Sequence, residues 1–296
     1  MEIIPVKLPN SHNLVFCGDF HEGTIMQHQE GIDQLIDYVL SDNNTYVAIG
    51  GDLVECRAVD NPMFDIRLAA SRSDLPLKQF FSITNKLKPI KHRILVCLYG
   101  NHDWDMGRAV GNGVRDIFCK ELKVRYGSFS CKLIIYDKKG NLMYKAFQTH
   151  GRKMVGSTAD DPIRREANMK LQLKRHLQYK AGDTVIMSKG HSHKLLVVKP
   201  SNELYLVDDG DRIIQKYTYD VQNENYIDPD LRYYINSGSF LKLYVDPIEV
   251  TEPDGSKGIE PVSGYAERGE YDPVELGFAV AKIRDKKVID VERVVL

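Results

Sequence analysis

The stretch Tyr46-Val47-Ala48-Ile49-Gly50-Gly51-Asp52-Leu53-Val54-Glu55 joins a continuous apolar run to two glycines and an acidic residue. Such a run suits a strand buried on both faces, and the glycines let the chain turn sharply out of the sheet. The same transition recurs on either side of it. Leu14-Val15-Phe16-Cys17 leads into Gly18-Asp19-Phe20-His21, and Ile94-Leu95-Val96-Cys97-Leu98-Tyr99 leads into Gly100-Asn101-His102-Asp103. Thr184-Val185-Ile186-Met187 leads, through Ser188-Lys189, into Gly190-His191-Ser192-His193.

Helical periodicity falls between these runs. Within 26–40, Ile32, Leu35, Ile36, Val39 and Leu40 keep the spacing of one helix face. Residues 66–87 and 107–122 also read as helical, with Pro76 interrupting the first. The span 162–180 reads as a helix opened by Pro162 and followed by Gly182. Strands alternating with helices over residues 1–190 predict an α/β architecture. Strand-like runs at 203–207, 212–219, 231–236, 241–245, 277–284 and 287–295 predict a mainly antiparallel C-terminal part. Turn signals such as Asp208-Asp209-Gly210 and Glu252-Pro253-Asp254-Gly255 separate them. With no linker, repeat or low-complexity tract, one composite domain spanning 1–296 is expected.

At 296 residues, with 43% apolar and 27% charged residues, the chain can bury a sizeable core. A formal net charge of -1 argues against coating nucleic acid by bulk electrostatics, though not against a local basic patch. The five cysteines form no C-x-x-C pair, and Cys17 and Cys97 lie within apolar runs, as small core residues of a reduced compartment do. The opening MEIIPVKLPNSHN has no basic segment followed by an apolar one, and no apolar run nears the ~20 residues of a membrane span. A cytoplasmic protein without membrane association is expected.

Singly, Asp19-x-His21, Gly51-Asp52-x-x-Glu55, Gly100-Asn101-His102-Asp103, His150-Gly151 and Gly190-His191-x-His193 are weak signals. Together they carry weight, because four of the five stand at or near the ends of expected buried strands, where active sites of open α/β sheets collect. The residue types suit two divalent cations about 3.5–4 Å apart, which can clamp the attacking and leaving oxygens of a phosphoryl displacement. Close cations need an anionic bridge, for which Asp52 is the natural candidate. Imidazole and carboxylate donors favour manganese, with iron, zinc or nickel as alternatives, over magnesium or calcium. On an extended segment, Asp-x-His and His-x-His would each turn two donors to one side.

In order and spacing, these five motifs resemble those of the calcineurin-like metallophosphoesterases over residues 14–193. Asn236-Ser237-Gly238-Ser239 is similar to a turn found downstream in that family. The resemblance implies a sandwich of two mixed β-sheets flanked by helices, with a dinuclear metal site at the loop edge. It implies one metal on Asp19, His21, Asp52 and His193, and a second on Asp52, Asn101, His150 and His191. A water or hydroxide activated by both ions would be the nucleophile. His102 would be the catalytic general acid or stabilise phosphoryl charge, Asp103 would orient His102, and Glu55 would make a structural hydrogen bond.

Insertions near 56–90, 152–180 and 194–230 and the segment 264–271 are where a cap or substrate groove would be built. In 152–180, Arg152, Lys153, Arg164, Arg165, Lys170, Lys174, Arg175 and Lys180 outnumber Asp160, Asp161 and Glu166. They read either as a solvated helix face or as contacts to a nucleic-acid backbone. Arg57, Arg108 and Arg152 follow metal motifs closely enough to serve as phosphate clamps. Trp104 either packs its loop or stacks on a base. The leading expectation is a phosphodiesterase or nuclease acting on nucleotides or nucleic acid. The alternatives are a phosphomonoesterase and a non-catalytic binding scaffold.

Overall fold

A computed structural model describes residues 1–56, 68–70, 76–219, 221–245, 248–251, 254–260, 266–267 and 269–296. The chain begins with β1 (Glu2–Lys7), β2 (His12–Cys17), α1 (Gln29–Ser41), β3 (Thr45–Ile49), α2 (Pro76–Leu87) and β4 (Ile94–Cys97). Helix α3 (Asn101–Val110), a π-helical stretch (Val114–Cys119) and the single turn α4 (Lys120–Leu122) follow. Next come β5 (Arg125–Tyr126), β6 (Ser130–Tyr136), β7 (Leu142–Thr149), α5 (Pro162–Leu177), β8 (Ile186–Lys189) and β9 (Leu195–Val198). The remainder is β10 (Leu204–Asp208), β11 (Ile213–Tyr217), β12 (Tyr233–Ser237), β13 (Ile248–Thr251), β14 (Lys257–Glu260), β15 (Gly277–Arg284) and β16 (Lys287–Val295).

These strands make two six-stranded mixed sheets, ordered β16-β15-β2-β3-β4-β5 and β1-β6-β7-β8-β12-β9, and two separate hairpins, β10-β11 and β13-β14. Three apolar clusters fill the spaces between four layers. Leu14, Phe16, Ala48, Val96, Ala279 and Ala281 of the first sheet meet Leu133, Ile135, Ala146, Ile186 and Ile235 of the second. The other face of the first sheet packs on Ile32, Leu35 and Val39 of α1, on Phe80 and Ile83 of α2, and on Phe118. The outer face of the second sheet, with Phe147, Met187 and Tyr234, takes Leu173 and Leu177 of α5. The sandwich flanked by helices is therefore the observed architecture.

Parallel pairing sets the site edge. β2, β3 and β4 run parallel, as do β7 and β8, so within each sheet their carboxyl ends emerge together.

Several expectations shift in detail. Leu40 is 52% exposed, off the buried stripe of α1. The span 107–122 is not one helix: α3 starts at Asn101, where the β4 loop ends, and stops at Gly111, whose φ of 77° breaks it. Residues 68–70 lie outside any α-helix, and 57–67 and 71–75, with Arg57, lie outside the described residues. No strand covers 241–245; Leu241 makes one isolated bridge to Gln27, and a bend follows. In the C-terminal part β12 pairs parallel with β8, an exception to the antiparallel pattern. All five cysteines are buried, and none is in a disulfide. Among the described residues no helix is long and apolar enough to cross a membrane.

At the edge opposite the carboxyl ends, His12 at the start of β2 ties the two sheets. Its Nδ1 donates to the Pro9 carbonyl at 2.7 Å, and its Nε2 accepts from the Tyr144 hydroxyl of β7 at 2.8 Å. Burial, only partly offset by the Pro9 bond, pulls the ring down to about 4. Because the unfolded ring titrates near ~6.5, its stabilising contribution is complete above that value. It is lost progressively as pH falls toward 4, a change of ~3 kcal/mol. His12→Gln should flatten the pH dependence of the unfolding free energy across that window in denaturant titrations. An unchanged slope would assign it to other groups.

Candidate metal centre

Loops from both sheets supply the donors. Asp19 and His21 follow β2, Asp52 follows β3, and Asn101 opens α3 after β4. From the second sheet, His150 follows β7, and His191 and His193 follow β8. Asp19, His21, Asp52 and His150 are buried. Two donor groups result, Asp19–His21–His193 and Asp52–His150–His191, each with its atoms within 4.8 Å of one another. A further group of the same kind joins His21, Asp52 and His102.

The hydrogen bonds fix which atom of each ring faces inward. His21 Nδ1 donates to Glu55 Oε2 at 2.6 Å, turning Nε2 toward His193 Nε2 at 3.2 Å. His150 Nδ1 donates to the Gly50 carbonyl at 2.9 Å, turning Nε2 toward Asn101 Oδ1 at 2.9 Å and Asp52 Oδ2 at 3.2 Å. Asn101 Oδ1 also faces His191 Nδ1 at 2.7 Å. Asp52 divides its oxygens: Oδ1 accepts the His102 backbone N–H at 2.9 Å, while Oδ2 faces His150 and lies 4.0 Å from His21 Nε2. One carboxylate oxygen thus looks onto both donor groups.

This donor set fits a pair of divalent cations. Imidazole nitrogens and carboxylate oxygens converge, and the outward nitrogens of His21 and His150 are already spent on a carboxylate and a carbonyl, as is usual for metal-bound histidines. Burial disfavours charge on His150, but Asp52 beside it outweighs burial and lifts the ring to about 9. Burial, and then the charge on His150, push His191 down to about 4. Asp52 is held well below the usual carboxylate range: burial opposes this, and His150 and then His102 overcome it.

The two-residue spacing works by a different geometry from the one expected. Asp19 (φ 53°), His21 (φ 50°), His191 (φ 73°) and His193 (φ 52°) are all left-handed, as is Asp52 (φ 49°). The Asp-x-His and His-x-His segments are therefore coiled back on themselves rather than extended. Non-glycine residues rarely adopt this conformation, and clusters of it mark functional sites. Tertiary bonds hold it: Phe20 and His21 donate N–H groups to the Asp52 carbonyl, and the His191 N–H donates to Asp19. Close approach also demands Gly100, where a Cβ would meet Asp52 Oδ1 at 2.0 Å.

The turn 236–239 has a role that its motif alone did not disclose. Asn236 Nδ2 donates to Ser192 Oγ at 2.7 Å, bracing the His191–His193 loop. Ser239 Oγ donates to the Asp19 carbonyl at 3.1 Å, bracing the other loop. Arg152 and Lys153 are exposed just beyond His150, whereas Arg108 lies in α3 with its side chain outside the described residues. Of the segment 264–271, residues 264, 265 and 268 also lie outside them. Helix α5 carries its basic residues mostly on structural duty. Arg165 bonds the Ala159 and Asp160 carbonyls, Lys170 pairs with Glu166, and Lys174 pairs with Asp230. It crosses from β7 back to the start of β8, so its C-terminal half runs away from the site edge.

His102 stands on α3 with its Nδ1 donating to the Glu55 carbonyl at 2.6 Å and its ring 4.7 Å from that of His21. Asp103 does not orient it, which corrects the expectation. Adjacent residues on a helix point to different sides, and the Asp103 carboxylate turns into the protein. There it accepts the N–H groups of Leu53, Val54 and Gly100 at 3.0, 3.3 and 2.9 Å. Burial, and then the charge on Asp52, push its carboxyl up to about 7, against the pull of the Gly100 and Val54 bonds. Asp103 pins the β3 loop to the start of α3. Asp103→Ala should strand three buried N–H groups, lowering the unfolding free energy by about 3 kcal/mol or more and reducing metal content. Wild-type stability with lowered turnover would return Asp103 to a role on His102.

Comparison with known proteins accords with this geometry. No curated protein matches the chain. The family model described as calcineurin-like phosphoesterase matches residues 12–221, which include all seven candidate donors and both parallel strand sets that present them. On that match the chain belongs to the calcineurin-like phosphoesterase family and is a metal-dependent hydrolase of phosphoester bonds.

Proposed function

We propose that the two donor groups each hold one divalent cation, manganese in the first instance, and that the enzyme hydrolyses phosphodiesters of nucleotides or nucleic acids. The observation that carries the metal assignment is Asp52 Oδ2, which faces donors of both groups. In this reading Asp19, His21, Asp52 and His193 serve one ion, and Asp52, Asn101, His150 and His191 the other. When bound, two such cations supply Lewis acidity toward phosphoryl oxygens and lower the pKa of water.

The chain's own groups do the rest. Glu55 positions two imidazoles, His21 through its carboxylate and His102 through its carbonyl. With its Nδ1–H on the Glu55 carbonyl, His102 would act as the doubly protonated imidazolium, whose Nε2–H could pass a proton to the leaving oxygen or donate to a phosphoryl oxygen. The first turn of α3 adds the positive end of a helix dipole beside it. The diester preference is supported by Arg152 and Lys153, exposed at the site edge where a second phosphate or a flanking strand would pass. Engagement of Arg165, Lys170 and Lys174 within the fold supports the solvated-face reading for the rest of α5.

Metal analysis tests the bridge: Asp52→Asn should lose both ions together, and retention of two would refute it. His102→Ala should keep its metal while kcat falls by about 10²-fold or more. An unchanged kcat would remove the catalytic assignment. With Mn²⁺ supplied, bis(p-nitrophenyl) phosphate should be cleaved faster than p-nitrophenyl phosphate. A strong monoester preference would instead support the phosphomonoesterase reading.

A further inference from the structure

Two large apolar rings stand half in solvent beside the donors. Trp104 is 44% exposed and Phe129 46%, with centroids 5.4 Å apart and planes inclined at 59°. Buried Tyr99 backs both, at 5.9 Å from Trp104 and 5.5 Å from Phe129, and Tyr126 stands 6.2 Å behind Tyr99. Rings of this size contribute most to stability when fully buried. A pair left open on a rigid backing is a surface prepared for another flat apolar group.

Their placement ties them to one side of the metal centre. Trp104 lies three residues after Asn101 on α3, one helical turn along the same face. The Phe129 carbonyl accepts the His150 N–H at 3.2 Å and the Thr149 hydroxyl at 3.2 Å. The loop that carries Phe129 is itself pinned. Ser128, left-handed at φ 56°, gives its carbonyl to the Tyr99 N–H at 2.8 Å, and Gly127 donates to the Cys97 carbonyl at 2.9 Å. Asn101 and His150 meet at 2.9 Å. Phe129 is thus tied through its carbonyl to the His150 backbone, and Trp104 stands one turn beyond Asn101, while Arg152 and Lys153 lie two and three positions beyond His150.

We propose that Trp104 and Phe129 form a stacking wall for the nucleobase adjacent to the scissile phosphate, making this a subsite for a nucleoside phosphate. The proposal rests on the phosphodiester reading above. With the planes inclined at 59°, a base stacked on one ring would meet the other edge-on, and because every base has a stacking face the subsite would select for the presence of a base rather than for its identity. Its phosphate would extend toward the metal centre and toward Arg152 and Lys153.

Trp104 is the chain's single tryptophan, so its fluorescence reports on this wall directly. Titration with adenosine 5′-monophosphate, excited at the red edge of the tryptophan band, should quench that emission saturably. Ribose 5-phosphate should leave it unchanged. Phe129→Ala should weaken the adenosine 5′-monophosphate response by roughly 5-fold or more. In turnover, the kcat/KM ratio of thymidine 5′-(p-nitrophenyl phosphate) to methyl p-nitrophenyl phosphate should exceed roughly 10 in the wild type. It should collapse toward one in Trp104→Ala and return in Trp104→Phe. No quenching, or equal quenching by ribose 5-phosphate, overturns the wall. Diester cleavage with no base preference overturns it while the phosphodiester reading stands, and base-dependent quenching without diester cleavage does the reverse.

Discussion

Asp52 is the group on which the rest of the site depends, because its two oxygens look in different directions. Oδ1 is fixed by the backbone of His102, so the carboxylate cannot swing, and Oδ2 is left facing His21 on one side and His150 on the other. That single orientation is set from further back by Asp103, which binds the β3 loop and the start of α3 into one unit. A buried carboxylate with three backbone donors is costly to assemble and costly to disturb. Its location beneath the donors explains why an acidic residue that touches no ring is nevertheless part of the site.

Around Asp52, close packing and backbone strain act together. Glycines bring the loops near enough for their backbones to bond, and five of the seven candidate donors take left-handed conformations to aim inward. Neither device is stable alone. The strained residues are held by bonds such as those of Phe20 and His21 to Asp52 and of Ser239 to Asp19, which span distant parts of the chain. The fold supplies rigidity through three apolar layers and concentrates its irregularity where the parallel strands end.

What the sequence made legible follows from this division. The strands β2, β3, β4 and β8 were readable because they are buried on both faces and end in abrupt polar turns. β6 alternates buried with half-buried residues, and β7 carries Lys145 and Gln148 among its apolar ones, so neither shows that signature. For that reason the approach to His150 was unmarked. The donor residues are readable from their motifs, but their backbone conformation is not, since Asp and His reach positive φ more often than most residues yet still in only a small minority of positions. Adjacency in sequence suggests contact between Asp103 and His102, whereas a helix turns such neighbours apart and Asp103 bonds the β3 loop. The motif marks Glu55 as a hydrogen-bonding residue, but its second partner, His102, comes from α3 and is joined to it only by the folding of the β3 loop against that helix.

The donors divide four to three between the sheets, and this has a mechanical consequence. Asp19, His21, Asp52 and Asn101 ride on one sheet, while His150, His191 and His193 ride on the other. The apolar layer between the sheets is nondirectional; the His12–Tyr144 pair restrains sliding at the far edge, and a few bonds such as His150 to the Gly50 carbonyl and Gln148 to the Ala48 carbonyl restrain it near the donors. Ions held in the proposed way would act as rivets across a seam, suppressing shear of one sheet over the other. Any displacement that opened the seam would dismantle the donor set before either sheet lost a strand.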